Sequence, residues 1–559
     1  MQVPQVNHNR RWGQYQTPAP IAKLAVNWAI RTKRDSLFDV AVGEGIFLVQ
    51  AARRLRELGA TTEDIADQMY GAEISRSSFE RARKTLQRVE EVLPKHLYRG
   101  DFFDVVAEKT AEKTRVREGQ LIPSVQAAIG NPPFIRFSMI NESTRRKAIA
   151  RAIEVGVDLK GSVDSSVLFL IHGSSLLCDS GRLALVMPER LLFTGYGSVA
   201  RNLLVRRFRS VKLILCNGWS FSQTAERVVL VLASNLGSTD LSIERMDFDS
   251  NVPSAVLSSM EPQGFNQRAG WQDMWIRTRL DPGAYEQVKR LIMNPKLHEL
   301  GELGRIEIGC VTGSNSYFVV NKEIINRYSL PRSFFRKAVK RARHITGLFF
   351  DNSDWHELLQ RNEDCLLLRM DQKHPPKNSR EIQAYLRKGR QLGIRDGFKL
   401  SHRKKWYEVP YYRSPDAFFT YMNHLFPRLV LNKTKAVNLN SIHSIRLDVK
   451  DKTAFCTGFY NSLTLLLCEL MGRIYSGGVL KIEPGELKTI LVVEPTELGL
   501  TKDLSRLAPS VDQRLNRGDL EGVLDLVDSI VLGRGLQLDD SRIITLRETY
   551  TRLQQSRID

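Results

Sequence analysis

Asn131-Pro132-Pro133-Phe134 places a side-chain amide, two rigid prolines and an aromatic ring directly after the apolar run Val125 to Gly130. Proline fixes φ and has no N–H, so it presents a carbonyl in a set direction. The side-chain carbonyl of Asn131 and the backbone carbonyl of Pro132 can each accept one N–H of an exocyclic amino group while Phe134 stacks on the ring that carries it. An amino group of that kind, as on adenine or cytosine, is a poor nucleophile because its lone pair is delocalised into the ring. Two fixed acceptors bend the lone pair out of conjugation, so these residues can prepare a base nitrogen for attack once the base has left its stack. The same four residues also read as a strand-to-loop turn in which proline stops the strand, and a short motif alone does not separate the two readings.

The elements upstream bear on the choice. Leu37 to Leu48 reads as an apolar strand, Leu37-Phe38-Asp39-Val40, running into the turn Gly43-Glu44-Gly45 that opens a helix. Glycines there let a ligand approach the backbone closely. The spacing is not the dinucleotide Gly-x-Gly-x-x-Gly, because Leu48 stands at the third glycine. A second apolar run ends at Tyr70-Gly71-Ala72-Glu73, putting an acid where doubly wound sheets hold ribose hydroxyls. A third strand end follows at Arg99-Gly100-Asp101-Phe102; Asp101 can accept from an adenine amino group and Phe102 can flank the ring. Each acid alone reads as an ordinary strand-end carboxylate, but four strand ends in this order predict a doubly wound α/β domain with a ligand crevice along one edge.

With Gly13-Gln14-Tyr15-Gln16-Thr17-Pro18 before the glycine turn, and Asp164 to Phe169, Gly181 to Pro188 and Gly218-Trp219-Ser220-Phe221 after the tetrad, the chain resembles the gamma class of amino DNA methyltransferases of restriction-modification type. The resemblance covers residues 10–240 and extends more loosely to about 490. Val40 and Val42 depart from the usual Pro and Cys of the cofactor loop, and Glu44 from its usual small or polar residue. The resemblance implies a Rossmann-like methyltransferase domain using S-adenosylmethionine. Thr17 would bind the methionine carboxylate, Asp39, Gly43 and Gly45 would line the methionine end, and Glu73 would take the ribose. Asp101, Phe102 and Phe169 would hold the cofactor adenine. Asn131, Pro132, Pro133 and Phe134 would be catalytic, with Phe221 facing Phe134 across a flipped base; Phe221 also reads as an apolar residue closing a hairpin. Asn as the first tetrad residue and the cofactor motif at the start imply adenine N6 as the target, by direct transfer. An RNA adenine-N6 methyltransferase and a fused restriction-methylation enzyme are the alternatives.

Composition agrees with a nucleic-acid partner. The chain has 559 residues and a net charge of +20, and residues 301–450 carry 28 Lys/Arg against 14 Asp/Glu. A positive field concentrated downstream of the chemistry suits a domain that meets duplex DNA. Arg332, Arg336, Lys337, Lys340, Arg341 and Arg343 form an acid-free run whose helical spacing predicts one basic face, either DNA-binding or simply solvated. Arg403-Lys404-Lys405-Trp406-Tyr407 and Tyr411-Tyr412-Arg413 interleave bases with aromatics, as a groove or an unstacked strand requires. Lys433 lies in Pro427 to Lys433, which with Gly309 to Val320 and Asn461 to Arg473 resembles recognition regions of restriction-type adenine methylases.

The six cysteines form no Cys-x-x-Cys pair and none follows a proline, which argues against zinc, a disulfide framework and a cytosine-C5 nucleophile. No metal is expected. The amino terminus lacks a signal core and no apolar run reaches membrane length, so the expectation is a cytoplasmic monomer, free of membrane, that acts on double-stranded DNA beside a separately encoded restriction endonuclease. Glu486-Leu487-Lys488 fits half of a metal-nuclease motif but, with no Pro-Asp partner, reads as a surface helix start. The predicted organisation is a catalytic domain over 1–246, a mixed α+β target-recognition domain over 271–490 and a helical tail over 491–559 whose role is packing.

Overall fold

A computed structural model describes residues 17–108, 120–135, 137–159, 163–192, 197–220, 227–234, 240–247, 258–260, 279–370, 374–410, 412–475 and 478–558. The chain divides into two compact units, Met1–Thr278 and Arg279–Asp559.

The first unit is built on nine strands: β1 Leu37–Asp39, β2 Met69–Glu73, β3 His96–Arg99, β4 Val125–Gly130, β5 Leu177–Pro188, β6 Ser210–Ser220, β7 Arg227–Ser234, β8 Asp240–Asp247 and β9 Ser258–Met260. They form one sheet in the order β9-β8-β6-β7-β5-β4-β1-β2-β3. β1, β2, β3, β4 and β5 pair parallel, and β7 inserts antiparallel between β5 and β6. Because successive side chains of a strand point to opposite faces, Leu37, Met69, Ala127, Ile129, Ala184 and Val186 supply one core. Phe38, Tyr70, Ala72, Ala128, Leu183 and Leu185 supply the other. Helices α1 Ala19–Ala29, α2 Ile46–Glu57 and α3 Arg76–Glu90 cover the first face; α4 Glu142–Glu154, α5 Ser165–Ser175 and α6 Ser198–Arg207 cover the second. Strands buried on both faces read as continuous apolar runs, which is why β1 and β4 are visible in the sequence. The direction of winding reverses between β1 and β4, the place where open α/β sheets leave a crevice beyond their carboxyl ends.

In the second unit, strands β10 Gly304–Ile308, β12 Phe349–Phe350, β14 Ala417–Thr420, β15 Leu429–Asn432 and β16 Ile442–Leu447 form a sheet ordered β10-β16-β14-β15-β12. A smaller sheet contains β11 Phe335–Val339 and β13 Leu366–Leu368. Its helices include α7 Arg380–Gln391, α8 Phe398–Ser401, α9 Ser462–Met471, and the carboxy-terminal α10 Thr501–Asn516, α11 Leu520–Asp528 and α12 Asp540–Ile558.

Two expectations are corrected here. The run from Arg332 to Arg343 is not a helix: a single 3₁₀ turn, Arg332–Phe334, leads into β11 and then into a second turn, Ala342–His344. Phe335, Arg336 and Lys337 pair with β13, and Ala338 and Val339 pair with the short strand Val437–Asn438, so the backbone is extended where a helix was expected, with Ala338 and Val339 buried. Glu486 is not at a surface: it is 7% exposed, caps its own short helix with Glu483 and pairs with Arg473 at 2.5 Å. Among the described residues no group of His, Cys, Asp and Glu could hold a metal ion, and no single helix is long and apolar enough to cross a membrane.

Candidate active site

The strand ends bring the acids of the amino-terminal half to the winding reversal. Asp39 closes β1 and is fully buried; its Oδ1 accepts from the Ala41 N–H at 3.1 Å, whereas Oδ2 is buried with no hydrogen-bond partner among the described residues. Gly130, at φ +140°, closes β4 beside it, and a Cβ there would lie 2.8 Å from Asp39 Oδ1, so only glycine lets the two strand ends approach. Gly43 and Gly45 take φ of +57° and +89°, and Gly45 opens α2 with Ala82 Cβ 3.2 Å from where its own Cβ would stand. Glu73, at the end of β2, accepts from the Gly43 N–H at 2.9 Å and the Ser75 N–H at 2.7 Å. Burial raises the Glu73 carboxyl above its ordinary range despite those bonds.

The tetrad leaves β4 as an extended loop held at both ends. Asn131 Nδ2 donates to Thr17 Oγ1 at 3.1 Å, joining the amide to the segment before α1, and Thr17 is 7% exposed. At the far end Ser165 Oγ donates to the Pro133 carbonyl and accepts from the Ile135 N–H at 2.8 Å, while the Ser165 N–H donates to the Ile135 carbonyl at 2.9 Å. Ser165 is the first residue of α5, capped by Asp164, whose second carboxylate oxygen pairs with Arg190 at 2.9 Å. The Pro133 carbonyl is therefore committed to the scaffold. Phe134 is half-buried and packs against the core on the α1–α2 side. Ser165 is missing from the sequence-based set. Its segment was marked by motif, but a hydroxyl partner 32 residues away has no local signature.

Asp101 and Phe102 sit less openly than expected. Asp101 Oδ1 caps the turn at Phe103 N–H at 3.1 Å and Oδ2 accepts from Thr144 Oγ1 at 2.6 Å. Phe102 is 4% exposed and stacks on Phe169 with ring centroids 5.0 Å apart. Phe169 remains half-buried, so of these two rings it has the surface to meet a flat ligand. His172 lies behind them, its pKa lowered to about 3 by burial, and stays neutral. Phe221 lies outside the described residues.

Burial, with a small addition from Glu73, raises the Asp39 pKa from 3.8 to about 7. A buried carboxylate oxygen lacking a partner suits an ammonium group, and S-adenosylmethionine carries one, so the donor set fits that cofactor. Between about pH 4 and 7 folded Asp39 holds a proton that the unfolded chain has released, so stability falls as pH rises through that window. The penalty is absent below it and complete above it, on the order of 4 kcal/mol. Asp39→Asn should therefore be more stable than wild type at pH 8, with the gain vanishing at pH 4, and should bind the cofactor less tightly. Thermal unfolding across that pH range checks the first half and calorimetric titration the second; a pH-independent difference would sink the assignment.

The proposed DNA-binding residues divide by partner. Arg336 donates to the Tyr412 carbonyl at 2.7 Å, Lys337 to Asn352 Oδ1 at 2.6 Å with the Trp355 ring 4.4 Å away, and Lys340 to Asp364 at 2.5 Å. Arg403 holds the Thr312 and Val311 carbonyls at 2.7 and 2.8 Å, and Trp406 is 7% exposed in the core, so these two side chains do not line a groove; Tyr411 lies outside the described residues. Lys433 lies 3.3 Å from the centroid of Phe349. Arg332, Arg341, Lys404 and Lys405 are exposed.

Residues 5–243 match the N-6 DNA Methylase family, and residues 272–532 match the C-terminal domain of Type II methyltransferase M.Eco57I. The Type II methyltransferase M.AccI of Acinetobacter calcoaceticus is 21% identical over 511 residues, spanning 88% of this chain and 86% of that protein. M.XamI of Xanthomonas campestris pv. amaranthicola, another Type II methyltransferase, is 23% identical over 86% of this chain and 85% of its own. Among solved structures, the Type IIL restriction-modification enzyme MmeI in complex with DNA aligns over 94% of this chain and 73% of that one, with a TM-score of 0.56 and 14% identity, a likeness of fold.

Proposed function

We propose a reaction for a chain that belongs to the adenine-N6 DNA methyltransferases of restriction-modification type: transfer of a methyl group from S-adenosylmethionine to N6 of an adenine flipped out of duplex DNA. The observation that carries the site assignment is the loop Asn131 to Phe134, tied to Thr17 at one end and Ser165 at the other, at the strand ends that also carry Asp39 and Glu73.

When bound, the cofactor supplies an electrophilic methyl group. Asp39 would meet its ammonium and Thr17 its carboxylate; Gly43 and Gly45 would leave it room against the backbone; Glu73 would take the ribose hydroxyls, and Asp101 and Phe169, with Phe102 behind, would take the adenine ring. Asn131 Oδ1 and the Pro132 carbonyl would accept the two N–H groups of the target amine and turn its lone pair out of conjugation with the ring, while Phe134 would stack on the base. Asn131 must present oxygen to the amine, and its bond from Nδ2 to Thr17 Oγ1 sets that orientation. Ser165, through the Pro133 carbonyl, holds the loop while a base enters.

Cofactor affinity belongs to residues 1–246 and DNA affinity to residues 271–490, with 491–559 acting by packing. A separately encoded restriction endonuclease is the expected companion. Nucleosides from DNA incubated with pure protein and S-adenosylmethionine should contain N6-methyladenine by mass spectrometry. Finding N4-methylcytosine alone, or label in RNA alone, would overturn the reading.

A further inference from the structure

The segment 377–405, which contains α7 and α8, carries ten Lys/Arg against two Asp/Glu, and all ten but Arg403 are exposed. Lys388, Arg390, Arg395, Lys399 and Lys404 are exposed. In their midst Phe398 is 80% exposed, more than any other large apolar side chain among the described residues. That ring stands on a rigid base. Leu400, two residues on, is 1% exposed and packs so closely on Gly313 that a Cβ there would meet Leu400 Cδ2 at 2.7 Å. Arg403 anchors the following turn to the Val311 and Thr312 carbonyls. His402 donates from Nδ1 to the Phe398 carbonyl at 2.6 Å and lays its ring 4.8 Å from the Phe398 ring. An aromatic ring held in water by fixed neighbours, inside a field of unmatched positive charge, has one fitting occupant: stacked aromatic faces bordered by phosphates. Stacked bases bordered by phosphates match the ring and the charge at once, which an acidic protein surface does only where it also carries an aromatic or apolar pocket.

We propose that α7 and α8 form a duplex-DNA contact in which Lys388, Arg390, Arg395, Lys399 and Lys404 meet phosphates and Phe398 wedges between adjacent base pairs. The inference rests on duplex DNA being the partner of this protein and adds the place and manner of contact. Apolar wedges of this kind part a base step and bend the helix, which lowers the resistance to unstacking a base.

The test uses the full chain and a duplex with 5-iodouracil in place of thymine. Irradiation should crosslink Phe398, identified by mass spectrometry of the digested complex; crosslinks confined to other segments would overturn the wedge. Phe398→Ala should weaken duplex binding on the order of tenfold, the worth of one lost stacking contact, with an unchanged salt slope, and Phe398→Trp should restore it. Replacing Lys388, Arg390, Arg395 and Lys399 by Glu should instead flatten the slope of log affinity against log salt by up to about 3–4, since each phosphate contact contributes about 0.9. Wild-type binding by Phe398→Ala, an unchanged slope in the charge-reversed protein, or crosslinking to RNA in preference to the duplex would each refute the proposal. The outcomes are separable from the reaction itself. Methylated adenine together with wild-type binding by Phe398→Ala refutes the wedge alone, whereas crosslinking at Phe398 without methyl transfer refutes the reaction alone.

Discussion

Asn131→Ala should lower the single-turnover rate of methyl transfer by about 10²-fold or more, the cost of losing one preorganised polar group at other active sites. The side chain has two tasks in one amide. In the proposed reaction its oxygen would accept from the target amine, while its nitrogen donates to Thr17 Oγ1 at 3.1 Å, a bond that would decide which end of the amide faces the base. Alanine removes both, yet leaves Asp39, Glu73 and the glycine turn as they are, so cofactor affinity by calorimetry should change little. Asn131→Gln supplies a control: it keeps the chemistry and moves it by one methylene, and a displacement of that size near the reacting atoms should cost nearly as much. A near wild-type rate in the alanine variant would reduce Asn131 to a turn residue and remove the basis of the catalytic assignment.

Arg557→Ala should destabilise the second unit by roughly 3–5 kcal/mol, because it strands a buried charge. The side chains of Glu469 on α9 and Arg557 at the end of α12 are both 0% exposed and meet through two bonds of 2.8 Å, a bidentate pair. The remaining guanidinium protons go to the His424 and Leu425 carbonyls at 2.8 and 2.9 Å and to the Gly478 carbonyl, so the side chain gathers four segments around one planar group. Removing Arg557 leaves a carboxylate and the His424 and Gly478 carbonyls without this donor, whereas the Leu425 carbonyl keeps Gln554 at 2.7 Å. Replacing both partners, Arg557→Met with Glu469→Leu, should recover most of the loss, since no buried charge is then left alone. Chemical denaturation of the three variants checks this; equal midpoints for Arg557→Ala and wild type would mean that water reaches the site.

Short-range pattern is written in the sequence, whereas long-range contact is not. Asp39, Glu73 and Asn131 are legible because each ends an apolar run and meets a glycine or proline, and a parallel sheet gathers such ends at one edge. Local pattern thus determines the α/β domain, the order of its strand ends and the chemistry those ends can carry. It does not determine the basic run. Arg336, Lys337 and Lys340 have helical spacing, but pairing with β13 and with the strand Val437–Asn438 holds residues 335–339 extended, and their cations then find Tyr412, Asn352 and Asp364. Nor does it separate Trp406 from Phe398: both are aromatics among bases, yet one is 7% exposed and the other 80%. Whether a ring or a charge serves the core or the surface depends on what packs over it, and those neighbours come from distant parts of the chain. Ser165 meeting Pro133 and Arg557 meeting Glu469 belong to the same class. The sequence by itself determined which groups could do chemistry at the sheet edge; the tertiary structure alone decided which polar groups are already partnered, because desolvation and hydrogen bonding act through space and not along the chain.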